Sequence, residues 1–140
     1  GTGDAQLTLS QRIQLSGAII VSTPQDLSLI DARKGLNMFK KVNVPILGII
    51  ENMSYFECHI CNTKHEIFGH GGAKAEAEKL GVTFLNGIPL DISLRTTSDE
   101  GEPIVHKEPD NVISKKYMEI SSKVLNEIEK NKKQAPQIIQ

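Results

Sequence analysis

The sequence has 140 residues, 39% of them hydrophobic and 24% charged, with a formal net charge of −1. Such a chain is one domain, or a piece of one, with enough length to bury a core, and its balance is that of an ordinary soluble globular protein. The charge makes no electrostatic case for nucleic acid or a membrane surface as partner, and the longest apolar run, Ile46–Ile50, is far short of the ~18–20 residues of a membrane span.

Gly1-Thr2-Gly3-Asp4 opens the chain as a flexible, phosphate-loop-like turn. Glycine-rich turns of this kind connect a strand to a helix, so the chain reads as truncated at its amino end. Asp4 is the expected N-cap of a short helix over residues 5–11. Residues 17–22, Gly-Ala-Ile-Ile-Val-Ser, form a β-branched run that predicts a strand buried on both faces. After Thr23-Pro24 a helix is predicted from about Gln25 to Lys41, with Leu29, Ala32, Leu36 and Phe39 on one face. Residues 45–50 predict a second buried strand. Residues 53–70 read as an irregular insert. Gly71-Gly72 opens a short helix that Gly81 closes, although a glycine pair at a helix start is also a form that anion sites take. Residues 82–88 predict a third strand, interrupted at Asn86-Gly87, and residues 90–97 a short helix behind Pro89. Residues 101–109 read as loop. A last helix carries Ile113, Tyr117, Ile120, Val124 and Ile128 on one face, and the Lys- and Gln-rich end from Asn131 reads as a disordered tail. Strands alternating with helices through short connections predict an α/β fold with a partial parallel sheet flanked by helices, spanning residues 1–130. Ligands of such sheets bind beyond the carboxyl ends of the strands, which here are Thr23-Pro24, Asn52 and Pro89 to Asp91.

The only two cysteines, Cys58 and Cys61, stand in the insert as Cys-His-Ile-Cys. Without a secretory signal they point to a reducing compartment, where thiols stay free for metal or redox work. Two thiolates at this spacing grip one side of a soft-metal centre, which needs about four ligands in all. The rest can come from His59, His65 or His70, giving zinc within one chain, or from a second copy across a twofold axis, giving a four-thiolate site. A redox dithiol calls for a helix N-terminus at the first cysteine, and two buried small apolar residues would suit a core better than this polar segment. Asn52 follows a buried strand, where it either makes the turn out of the sheet or reads an adenine edge, which a side-chain amide does by donating to N7 and accepting from the N6 amine.

Taken together, Gly1-Thr2-Gly3-Asp4, Ser22-Thr23-Pro24-Gln25-Asp26, Glu51-Asn52-Met53-Ser54, the Cys58/Cys61 pair, Ile67-Phe68-Gly69 and Ile88-Pro89-Leu90-Asp91 resemble the Mrp/ApbC family of P-loop ATPases. These are iron–sulfur cluster carriers related to the septum-site and nitrogenase-iron-protein ATPases. The variant is most similar to bacterial members and to the mitochondrial matrix member that serves respiratory complex I. The resemblance implies a [4Fe-4S] cluster bridging two subunits of a homodimer through Cys58 and Cys61, with delivery to apo iron–sulfur proteins, in the cytoplasm or the mitochondrial matrix. It implies ATP with Mg2+, the base held by Asn52 and by backbone groups from Pro89 to Asp91. Gly3 falls in the segment similar to the family's γ-phosphate switch loop; the same residues also suit a plain loop with a helix cap. The family's deviant Walker A loop, with its phosphate-binding lysines, does not occur in residues 1–140. The 140-residue chain by itself is therefore expected not to hydrolyse ATP.

Overall fold

The computed structural model describes residues 3–134. In chain order its helices are α1 (Asp4–Arg12), α2 (Asp26–Lys41), α3 (Gly72–Leu80), α4 (Ile92–Asp99), α5 (Ile104–Lys107) and α6 (Val112–Gln134). Its strands are β1 (Ala18–Ser22), β2 (Ile46–Glu51), β3 (Phe56–Glu57), β4 (Lys64–His65) and β5 (Phe84–Gly87). β1, β2 and β5 form a parallel sheet in that spatial order, and β3 and β4 form a separate antiparallel hairpin. The α/β expectation holds.

Alternation along β2 decides the layers. Ile49 faces α2 and α3, where it joins Ile20, Leu29, Leu36, Ala73 and Ala77 in the larger core cluster. Its neighbour Ile50 faces the other way, against Leu85, Ile88 and Ile120 of the cluster that α6 closes. The predicted face of α2 is borne out: Leu29 and Leu36 are buried, and Ala32 and Phe39 pack against the same cluster. β2 and β5 approach so closely that a Cβ at Gly48, whose φ is +152°, would stand 2.5 Å from the Thr83 carbonyl oxygen. Only glycine fits there without shifting a strand.

Several expectations are corrected. β1 is buried on one face only: Ile19 and Val21 are exposed, on the side of the sheet where α6 packs mainly on β5 and β2. The N-cap of α1 is Gly3, with no side-chain capping bond, and Asp4 lies in the first turn. β5 runs through Asn86-Gly87, absorbing the irregularity as a register shift opposite Ile49 and Ile50. The 101–109 segment contains α5, which packs on α6. Tyr117 is exposed rather than in the core. α6 continues past Asn131 to Gln134; the remainder of the expected tail lies outside the described residues. Gly81 closes α3 as expected, left-handed at φ 65° with its amide donating to Ala77 and Glu78 carbonyls. Among the described residues no helix is long and apolar enough to cross a membrane.

Candidate functional site

The site is built where β2 leaves the sheet. Asn52 still donates its amide to the Ser22 carbonyl at 2.7 Å, so it sits at the end of the β1–β2 ladder. Met53 then turns the chain with φ 54°, a left-handed conformation that costs a bulky residue on the order of 1–3 kcal/mol. Asn52 Oδ1 steadies this corner by accepting the Met53 amide at 3.0 Å. One lone pair of that oxygen and both N–H groups of the side-chain amide remain for a ligand.

The insert is less irregular than its sequence suggests. Ser54 donates its amide to Ile88 O at 2.9 Å, and Leu90 donates its amide to Tyr55 O at 2.7 Å. Phe56 bridges Leu90 in parallel. The first arm of the insert therefore runs as an added strand beside residues 88–90, and then turns through the β3–β4 hairpin. Cys58 donates its amide to Thr63 O at 3.0 Å, and Asn62, left-handed at φ 56°, donates its amide to Cys58 O at 2.8 Å. Asn tolerates that conformation better than most residues, which lets so short a turn close. Both thiols lie in this turn, Cys58 half-buried and Cys61 exposed. Cys61 Sγ donates to Thr63 Oγ1 at 3.2 Å. Once the sulfur is ionised the Thr63 hydroxyl and amide, and then Cys58, can donate to it instead, and this holds the Cys61 thiol below its usual pKa.

The histidines do not converge on the thiols. His59 Nε2 stands 4.0 Å from Asp91 Oδ2, His70 pairs with Glu66, and His65 lies against the Phe56 ring. Among the described residues no three His, Cys, Asp or Glu side chains form a group that could hold a metal ion. The Cys₂His₂ set considered from the sequence is not assembled.

Two open cavities flank the insert. One, of 640 Å³, is lined by Asn52, Met53, Phe56, Arg95 and Tyr117 among others; the second, of 440 Å³, contains Cys58 and His59. Pro89, Leu90 and Asp91 line both. The structure thus brings Asn52, Pro89 and Asp91 together, with Cys58 on the far side of the same loop. Asp91 Oδ1 is the N-cap of α4, accepting the Ser93 and Leu94 amides at 2.7 and 3.2 Å, which leaves Oδ2 facing His59. Gly3 lies apart, exposed and outside the Asn52 cavity. Phe56 and Tyr117 are wall residues that the sequence reading missed. Phe56 sits two positions before Cys58, a signal its sequence place did offer; Tyr117 follows helical spacing and gave none.

Residues 1–125 match the family described as ParA: NUBPL iron-transfer P-loop NTPase. The chain belongs to that family. It is 53% identical over 129 residues to the iron-sulfur cluster transfer protein NUBPL of Dictyostelium discoideum, covering 92% of this chain and 40% of that protein. It is 49% identical over 128 residues to the iron-sulfur cluster carrier protein of Haemophilus influenzae, covering 91% of this chain and 35% of the relative. The family member described here therefore spans well under half the length of these relatives. Among solved structures, a nucleotide-binding protein of Archaeoglobus fulgidus in complex with ADP is similar at 40% identity and TM-score 0.67, over 79% of this chain and 44% of that one. The septum site-determining protein MinD of Pyrococcus horikoshii, complexed with Mg-ADP, is similar at 26% identity and TM-score 0.61, over 78% of this chain and 41% of that one. The partial parallel sheet flanked by helices is thus of the P-loop NTPase type.

Proposed function

We propose that this chain is the cluster-holding part of an ATP-binding iron–sulfur carrier, with Cys58 and Cys61 as its cluster ligands. One observation carries the reading: two thiols share a short exposed hairpin turn, and among the described residues no third His, Cys, Asp or Glu side chain joins them in a group that could hold a metal. A four-iron cluster takes four thiolates, so two copies meeting at the hairpin complete the set with the same pair used twice. Ile60, between the cysteines, is 95% exposed, and two copies meeting at the hairpin would remove its apolar surface from water. The relatives' names support iron–sulfur transfer as the role, with apo iron–sulfur proteins as recipients.

Asn52 would take the adenine edge in the 640 Å³ cavity, beside backbone from Pro89 to Asp91. The strand-like pairing of residues 54–56 with 88–90 offers a rigid route from that cavity to the cysteine turn. Movement of the Pro89–Asp91 loop with nucleotide state would shift the hairpin, and so the geometry of two copies around a shared cluster.

The test is anaerobic reconstitution of the protein with ferrous iron and sulfide. The expected product has the visible charge-transfer absorption of thiolate- and sulfide-bound iron, with one four-iron cluster per two chains. Cys58→Ala and Cys61→Ala should each remove it. Colour retained by the double variant would overturn the ligand assignment, and a colourless protein with one zinc per chain would favour a small zinc-binding interaction module.

A further inference from the structure

At the base of the cysteine hairpin lies another open cleft, of 360 Å³, which shares no residue with the Asn52 cavity. Three lysines from three separate elements border it: Lys64 of β4, Lys74 of α3 and Lys116 of α6. The Lys64 and Lys116 ammoniums stand over the same Tyr55 ring, 5.0 and 5.9 Å from its centroid, within the range of a cation–π attraction. Lys64 also faces Glu57 at 3.9 Å. Among the described residues neither Lys74 nor Lys116 has an ion-pair partner within 4.0 Å. Like charges gathered this way raise the local potential and draw an anionic partner.

The floor decides what kind of anion fits. Glu51, 2% exposed, lies there, and Glu66 stands on the wall paired with His70. Helix N-termini hold phosphate through free amides, but at the start of α3 the Ala73 amide is taken by Glu51, which puts an acidic side chain where an anion would sit. The lining contains no arginine fork for a bidentate oxyanion. A compact phosphate sinking into the cleft would meet carboxylate. Carboxylates spaced along a chain crossing the rim would meet the three ammoniums and stay clear of the floor.

The geometry points to a docking cleft for an acidic segment of a protein partner. On the carrier reading above, on which this identification of the partner rests, that protein is the cluster recipient, because Lys64 is three residues from Cys61 and a segment held there lies beside the thiols. Held by rim charges, the segment associates with a raised on-rate that falls as salt increases.

The experiment is fluorescence anisotropy of a labelled peptide of alternating Glu and Gly, titrated with the intact protein, against a Gln-for-Glu control peptide. The acidic peptide should bind and the control should not. Lys74→Glu and Lys116→Glu should each weaken binding about five- to tenfold at low salt, while Lys40→Glu, on α2 and away from the cleft, leaves it unchanged. Cluster absorption after reconstitution, read in parallel, should be unaltered in all three. Peptide binding without any cluster keeps the cleft and sinks the carrier reading. Loss of binding in Lys40→Glu equal to that in Lys74→Glu, retention in both cleft variants, or displacement of the peptide by an equal concentration of inorganic phosphate would each overturn the docking cleft.

Discussion

Glu51 Oε2 accepts the Ala73 backbone amide at 2.8 Å, a bond across 22 positions that closes the whole cysteine insert at its base. Its other oxygen accepts the Ser54 hydroxyl at 2.6 Å. One carboxylate, 2% exposed, thus holds the segment where it leaves β2 and where it re-enters at α3. Glu51→Ala leaves a buried amide without a partner and removes a charged acceptor, so it should destabilise the fold by about 2–4 kcal/mol. Glu51→Gln, which keeps an acceptor for Ala73, should cost less. Urea unfolding measures the loss, and limited proteolysis between residues 54 and 71 should quicken in the Ala variant. An unchanged midpoint for Glu51→Ala would show that this bond does not secure the insert.

Arg33 and Glu76 tie α2 to α3. Arg33 Nη2 lies 2.8 Å from Glu76 Oε2, Nε engages the other oxygen, and Glu76 is buried while Arg33 is half exposed. The Arg33 hydrogen bond, outweighing desolvation, holds the Glu76 carboxyl below its usual value of 4.5. A depressed folded pKa means that the unfolded chain takes up the proton first. The contribution is therefore complete above about pH 5 and is lost as pH falls through the folded value. Glu76→Gln should lower the urea midpoint at pH 7, and the gap to the parent should shrink steadily below pH 4.5. A gap that is constant from pH 7 to pH 3 would remove the pair from the acid response.

The residues that were legible in advance carry their information locally. Leu29 and Leu36 announce the buried face of α2 by spacing, and the two cysteines are conspicuous by identity and separation. What escaped depends on partners far along the chain. Ile19 and Val21 look like core until the reach of α6 is known. Phe56-Glu57 and Lys64-His65 are too short for an alternating pattern to register, so the hairpin read as loop. Glu51 ends a strand, where an acidic residue suggests solvent, and only the approach of Ala73 turns it into a buried tie. Tyr117 keeps helical spacing with Ile113 and Ile120 yet is exposed and lines the Asn52 cavity beside Leu94, Arg95 and Ser98 of α4.

Asn52 offers the clearest test of the nucleotide half of the proposal. Its side chain lines the 640 Å³ cavity, and its Oδ1 already accepts the Met53 amide. As a plain turn residue, Asn52 would matter to stability through that one bond and be indifferent to the base. As a base reader, its amide adds a donor and a remaining lone pair, which match N7 and N6 of adenine and mismatch the O6 of guanine. In the full-length protein Asn52→Ala should then weaken ATP binding by about 1–3 kcal/mol and bring the ATP and GTP affinities together, with the reconstituted cluster absorption unchanged. Asn52→Asp should weaken ATP as well, since a carboxylate cannot donate to N7. Isothermal titration with both nucleotides, alongside urea unfolding, separates the two roles. If Asn52→Ala keeps the parent's ATP-to-GTP ratio and loses only stability, Asn52 serves the Met53 corner and the base lies elsewhere.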